Sequence, residues 1–192
     1  MKKEFNTTGS CNPEWHYMVD TSAKLAKIED LIERGKYFTI NRARQFGKTT
    51  TLKALYRRLL DRYHVIPISF EVGGVVNDKV EDFCRNFEFK MSKAGGMTSE
   101  QSDFWLNKDK STSLEELSLK ITTYCKLQSK PVLLLIDEVD KSTNNQLFLD
   151  FLGMLRNNYL DRDINGLNST FHSVILAGVY DVKNLKLKIR PE

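Results

Sequence analysis

The sequence predicts a three-layer, doubly wound α/β domain, and three observations carry that expectation. Short β-rich runs alternate with helical periodicity along the 192 residues. One of those runs, Val132 to Ile136, is apolar throughout, as a strand covered by helices on both faces should be. The helical stretches are about ten residues or longer, the length that a crossover between parallel strands requires.

The elements follow in order. After a polar start, Asp20-Thr21-Ser22 offers a helix N-cap, Leu25, Ile28, Leu31 and Ile32 recur at helical spacing, and Gly35 is the stop signal. The first strand is YFTI at 37–40, and Thr49 to Leu60 then places Leu52, Leu55, Tyr56 and Leu59 on one helix face. The second strand, VIPISF at 65–70, ends in the loop signal Glu71-Val72-Gly73-Gly74. Val80, Phe83, Cys84, Phe87 and Met91 mark the next helix. Residues 93–112 read as an irregular, polar insertion apart from Phe104-Trp105-Leu106. Thr112-x-x-Glu115 and Ser113-x-x-Glu116 both fit a capping box opening a helix with Leu114, Leu117, Ile121 and Tyr124. The third strand is 132–136, a helix carries Leu147, Phe148, Phe151, Leu152, Leu155 and Tyr159, and SVILAGV at 173–179 is the fourth strand. The division expected is an N-terminal extension and helix over 1–36 and a core over 37–192.

Composition narrows the function classes. Apolar residues at 41% and charged ones at 28% permit a sizeable core and argue against wholesale disorder. Lys plus Arg number 29 against 25 acidic residues, a net +4 that falls short of the clustered charge of a dedicated nucleic-acid binder. Cys11, Cys84 and Cys125 are scattered without CxxC spacing, as are His16, His64 and His172, so a disulfide framework and a histidine-built metal cluster lack support. The start has two lysines but no apolar stretch behind them, and no run is long enough to span a bilayer. A cytoplasmic protein is expected.

The chemistry gathers where the first strand turns into a helix. Asn41 to Thr50 reads NRARQFGKTT, and Gly47-Lys48-Thr49 matches the second half of the phosphate-binding pattern G-x-x-x-x-G-K-[ST]. Gly47 lets the backbone approach phosphates with torsions a Cβ would resist. The first amides of the following helix point at the anion and the helix dipole adds attraction. Lys48 would reach the β- and γ-phosphates, and Thr49 would offer its hydroxyl to Mg²⁺. The loop formed by Arg42, Ala43, Arg44, Gln45, Phe46, Gly47, Lys48, Thr49 and Thr50 is the candidate nucleotide cradle. Arg42 stands where the pattern has its first glycine; the bland alternative for Arg42 and Arg44 is a solvated loop.

The partner motif is VLLLIDEVD, Val132 to Asp140. An apolar strand ending in Asp-Glu puts two carboxylates at its carboxyl edge, where ligands bind in open α/β sheets. Asp137 would hold Mg²⁺ through water, facing Thr49, and Glu138 would polarise the water that attacks the γ-phosphate. The alternative for Asp137 or Asp140 is a cap on the next helix. Together the two motifs define a P-loop NTPase of the branch with a catalytic glutamate. That branch places a further strand between the two motif strands, so the expected order is (5)-1-4-3-2, with 173–179 as strand 4. A polar residue usually ends that strand, yet Ala177-Gly178-Val179-Tyr180-Asp181 offers only Tyr180 or Asp181.

At these residues the chain resembles the bacterial AAA-ATPase-like family, through HYMVD, YFTINRARQFGKTT, VLLLIDEVDK and SVILAGVYDVKNLKLKIRP, from about Phe5 onward. An Arg in place of the first glycine belongs to that family's pattern. The resemblance implies a predicted ATPase that uses ATP and Mg²⁺, with Gly47, Lys48, Thr49, Asp137 and Glu138 in the roles above. Members are usually longer, so a fifth strand and lid are expected to be missing here, with weak binding and slow hydrolysis as a consequence. Self-association, or a C-terminal domain of a longer protein, is the expected partner besides ATP.

Rival readings remain. Arg156 and Arg162 fall where AAA-type relatives often carry an arginine finger, or are helix C-terminal cations. Asp82 with Glu88-Phe89-Lys90 resembles a D…ExK nuclease site, although the helical spacing of the surrounding residues opposes it. The tail Lys183 to Arg190 alternates basic with apolar residues, which suits a nucleic-acid contact or an amphipathic edge strand. The main functional alternatives are a nucleotide-dependent switch with incidental hydrolysis and a degenerate scaffold with none.

Overall fold

A computed structural model of the chain describes residues 3–5, 14–17, 20–41, 47–70, 79–139, 146–166 and 169–178. Its centre is a four-stranded, wholly parallel sheet in the order β1-β4-β3-β2, built from β1 (Tyr37–Asn41), β2 (His64–Ser69), β3 (Val132–Asp137) and β4 (Ser173–Gly178). The predicted order is therefore observed, with the late fourth strand inserted between β1 and β3. Register runs Tyr37 to Val174 through Asn41 to Gly178 on one side of β4, and Leu133 to Ser173 through Ile136 to Leu176 on the other.

Strand alternation divides the core into two layers. Leu133, Leu135, Ile175 and Ala177 face α1 (Ser22–Glu33) and α2 (Lys48–Leu59), which supply Leu25, Ile28, Ile32, Leu52, Leu55 and Leu59. Leu134, Ile136 and Val174 face α3 (Val80–Ser92), α5 (Leu114–Leu127) and α6 (Gln146–Leu160), where Phe83, Phe87, Ile121, Phe148, Phe151 and Leu155 pack. Burying both faces of β3 explains why its sequence is apolar without alternation.

Two local expectations are corrected. Within 93–112, expected to be irregular, Ser99–Leu106 forms a helix, α4. Thr98 caps it with a complete capping box to Gln101, and Trp105 is buried against Phe87, Phe104 and Tyr124. The polar composition is the outer face of a two-turn helix whose short apolar signal is only Phe104-Trp105-Leu106. At the start of α5, Ser113 accepts the amide of Glu116 at 3.2 Å, so the Ser113 cap holds. The Thr112-x-x-Glu115 box does not form, because Thr112 instead gives its amide and hydroxyl to the Glu116 carboxylate at 2.7 and 2.9 Å. A short helix absent from the sequence reading, α7 (Arg162–Asn165), follows α6.

At the amino edge of the sheet, Arg162 joins two strand starts. It is 7% exposed, and it donates Nη2–H to the Gly35 carbonyl at 2.8 Å and Nη1–H to the His172 carbonyl at 2.7 Å. Its guanidinium lies 4.2 Å from the Tyr159 ring centre and 5.6 Å from that of Tyr37. No helix among the described residues is long and apolar enough to cross a membrane.

Candidate functional site

The opposite, carboxyl edge brings the two motifs together. β1 ends at Asn41, residues 42–46 lie outside the described set, and Gly47 enters α2 in the left-handed region with φ 70°. A side chain there would be strained, which is the physical reason for glycine at this junction. The carbonyl of Gly47 accepts both the amide and the hydroxyl of Thr51, each at 2.8 Å, and Lys24 Nζ donates to that hydroxyl at 3.2 Å. Lys24 thus brings a second ammonium from α1 to the base of the helix; its position on the half-buried face of an amphipathic helix gave no sequence signal. Lys48, Thr49 and Thr50 are the first three residues of α2, so their amides lie in the first turn, where the helix itself supplies no acceptor. Lys48 and Thr50 are half-buried and Thr49 is exposed.

Across the sheet, Asp137 is the last residue of β3 and pairs in register with Ser69 at the end of β2. Alternation along β3 turns Asp137 to the α2 side, where its Oδ2 accepts the Thr49 hydroxyl at 2.8 Å. Its Oδ1 accepts the Glu138 amide at 2.9 Å. The candidate metal ligands Thr49 and Asp137, 88 residues apart in sequence, are thus in direct contact. A hydroxyl and a carboxylate are the hard oxygen donors that Mg²⁺ takes, commonly one or two from protein and the rest from phosphate and water. Glu138, half-buried, has φ 58° and is the one non-glycine residue with positive φ among those described. Such torsions cost an L-residue about 1–2 kcal/mol and tend to persist where a site demands them.

The remaining candidates separate from this edge. Arg42, Ala43, Arg44, Gln45 and Phe46 of the loop, Asp140, Tyr180, Asp181 and the basic tail lie outside the described residues. Arg162 is not a finger: it is buried at the other end of the strands, bound to the carbonyls of Tyr159, His172 and Gly35. Arg156 borders an apolar groove of about 430 Å³ beside β1, also lined by Tyr37, Leu152, Leu155, Val174 and Leu176. The nuclease-like residues fail on geometry. Glu88 and Lys90 sit on α3, and Glu88 is wholly buried, accepting the amide and hydroxyl of Ser111 and pairing with Lys120 at 3.1 Å. Asp82 is exposed on the same helix. Cys84 and Cys125 are free and buried, and burial pushes the Cys84 thiol up to about 12, an unreactive state at neutral pH. No cluster of three or more His, Cys, Asp or Glu side chains suited to a metal occurs among the described residues.

A parallel sheet ordered β1-β4-β3-β2, with a helix start and an acidic strand end facing each other across its carboxyl edge, defines a P-loop ATPase-like α/β domain. The chain belongs to the AAA-like domain family, whose model matches residues 9–181. Among solved structures, a chain from a structure of Drosophila ORC bound to DNA is similar at 16% identity with a TM-score of 0.49, covering 97% of this chain and 50% of that one. A chain from a structure of Drosophila ORC bound to AT-rich DNA and Cdc6 is similar at 9% identity with a TM-score of 0.43, covering 86% and 48%. This chain thus spans about half the length of both. No curated protein matches it.

Proposed function

We propose that the chain binds Mg-ATP at the carboxyl edge of its sheet and that Glu138 orients water for hydrolysis of the γ-phosphate. The observation that carries this reading is the contact between Thr49 and Asp137: two motif residues far apart in sequence meet at 2.8 Å beside a glycine-led helix start. In this reading the amides of Lys48, Thr49 and Thr50 donate to phosphate oxygens, as do the loop residues Arg42 to Phe46 before them. The Lys48 ammonium neutralises charge on the terminal phosphates. Thr49 and Asp137 would hold Mg²⁺, which supplies charge neutralisation along the phosphate chain when bound. With the ion bound, the Thr49 hydroxyl would turn its oxygen to the metal and Asp137 would hold it through water. Glu138 accepts a proton from the attacking water. Its left-handed backbone lies one residue past the end of β3, directly after Asp137 at the carboxyl edge.

Calorimetric titration of Mg-ATP into the chain and into Lys48→Ala tests the site. The expected result is at least tenfold weaker binding by the variant, the loss of one charge-assisted contact. Equal binding would refute the phosphate role of Lys48. Glu138→Gln is expected to retain binding and lose turnover. A nucleotide-dependent switch would instead show little hydrolysis to lose, and a degenerate scaffold no binding at all.

A further inference from the structure

Gly47 leads the first turn of α2, yet packing does not hold it there. Nothing lies within 4 Å of where a Cβ would stand on it, and a glycine has more torsional freedom than any other residue. Its carbonyl is what is held. Thr51 gives that oxygen both its amide and its hydroxyl, each at 2.8 Å, so both lone pairs are taken. Thr51 is 6% exposed, and its hydroxyl in turn accepts from Lys24 Nζ at 3.2 Å. A chain of hydrogen bonds therefore runs from α1 through α2 to the residue that opens the candidate cradle.

The chain ends on a peptide unit whose other side faces outward. In a planar trans peptide the carbonyl and the amide point in opposite directions. Because the Gly47 carbonyl points into the helix, the Lys48 amide points out of its start, the side from which a phosphate oxygen approaches. Donation from an ammonium polarises the Thr51 hydroxyl and strengthens the bond it makes onward to Gly47. The charges agree with this direction. The first turn of α2 has no acidic residue and opens with Lys48, and the ammonium of Lys24 reaches Thr51 just behind it. Two cations at the positive end of a helix dipole reverse the usual preference, and they suit an anion bound in front of it.

We propose that Lys24 is a positioning residue for phosphate binding: through the Thr51 hydroxyl it fixes the Gly47–Lys48 peptide and so aims the Lys48 amide at the nucleotide. The inference rests on the nucleotide reading of the site and adds to it a residue outside both motifs. Lys24 touches no reacting atom. An amide aligned before the ligand arrives serves ground state and transition state alike, so the effect falls on affinity and KM and leaves kcat unchanged.

The test is a double-mutant cycle read by calorimetric titration of Mg-ATP into the whole chain, at a temperature where every variant is folded. Lys24→Met keeps the apolar stem without the ammonium, and Thr51→Val keeps the shape without the hydroxyl. Each is expected to bind about 3- to 10-fold more weakly, the scale of one hydrogen bond. The double variant is expected to bind no more weakly than Thr51→Val alone, because Lys24 acts through that hydroxyl. Thr51→Ser loses the methyl but keeps the hydroxyl and is expected to restore affinity, a rescue that a packing role would not show. Multiplicative losses in the double variant would mean that Lys24 meets the anion directly and would overturn the relay. Unchanged affinity in Lys24→Met, or a loss in Thr51→Ser equal to that in Thr51→Val, would overturn it as well. If Lys48→Ala still weakens binding in those cases, the nucleotide reading survives. Insensitivity of binding to Lys48→Ala removes that reading and the inference with it.

Discussion

Replacing Arg162 by methionine separates a structural clamp from a catalytic finger. The side chain is 7% exposed and makes two short guanidinium–carbonyl hydrogen bonds, at 2.7 and 2.8 Å, to residues 10 and 127 positions away, and a longer one from Nε to the Tyr159 carbonyl at 3.4 Å. Hydrogen bonds from a charged donor contribute about 1.5–3 kcal/mol each, and a desolvated cation–π contact of the kind seen with Tyr159 about 1–2 kcal/mol. Against this stands the cost of burying a charge, which Met removes while keeping an apolar stem. The buried carbonyls of Gly35 and His172 would lose their partner, so the balance remains a net loss of about 3 kcal/mol. For a chain of this length that lowers the melting midpoint by roughly 6–12 °C. Arg162→Lys, with one compact donor in place of a fork, is expected to fall between the two. Urea unfolding of the three proteins gives the free energies, and Mg-ATP titration at a temperature where all are folded gives affinity. A stability loss below about 1 kcal/mol for Arg162→Met would refute the clamp. A finger would show the reverse pattern, with stability kept and turnover gone.

Three further outcomes follow from the structure. Because Glu138 has φ 58°, Glu138→Gly should be more stable than Glu138→Ala by about 1 kcal/mol in urea unfolding, although neither hydrolyses ATP; equal stabilities would mean that the left-handed torsion carries no strain. Glu88→Ala leaves Lys120 without its buried carboxylate and should cost about 3 kcal/mol while leaving Mg-ATP affinity unchanged, and a variant that unfolds at the native urea midpoint would contradict the network. Burial holds His64 and His172 below the usual imidazole range, so below pH 6.5 the unfolded chain takes up protons that the folded one resists. Their contribution is complete above pH 6.5 and is lost as pH falls through the depressed folded values. His172→Gln should flatten the acid limb of a midpoint-versus-pH curve, and an unchanged slope would rule His172 out as a source.

The sheet was legible because its signals are local and strong. Val132 to Ile136 could only be a doubly covered strand, and the two motif ends fixed which strands had to lie near each other. Asp137 facing Thr49 followed from the same pattern. What stayed hidden depends on long-range partners. Arg162 stood open between a helix C-terminal cation and a finger because sequence position gives no information on which end of the sheet a side chain reaches. Helix α4 was obscured because one buried Trp and a capping box, rather than a long apolar stripe, hold it in place. The sequence opposed a metal site at Glu88 through its helical spacing, but not its buried pairing, because its countercharges, Lys110 and Lys120, come from later elements. Lys24 drew no notice because its partner, Thr51, lies 27 residues further on.

The Arg162 clamp also has a mechanical meaning. With Ser173 Oγ additionally donating to the Lys36 carbonyl at 2.5 Å, β1 and β4 are stitched at the end remote from Gly47, like pages bound at a spine. Any rearrangement that accompanies exchange of ligand must then turn about that spine and grow toward the free margin. A probe attached near Gly35 is therefore expected to report less of it than one attached near Asn41 at the carboxyl end of β1.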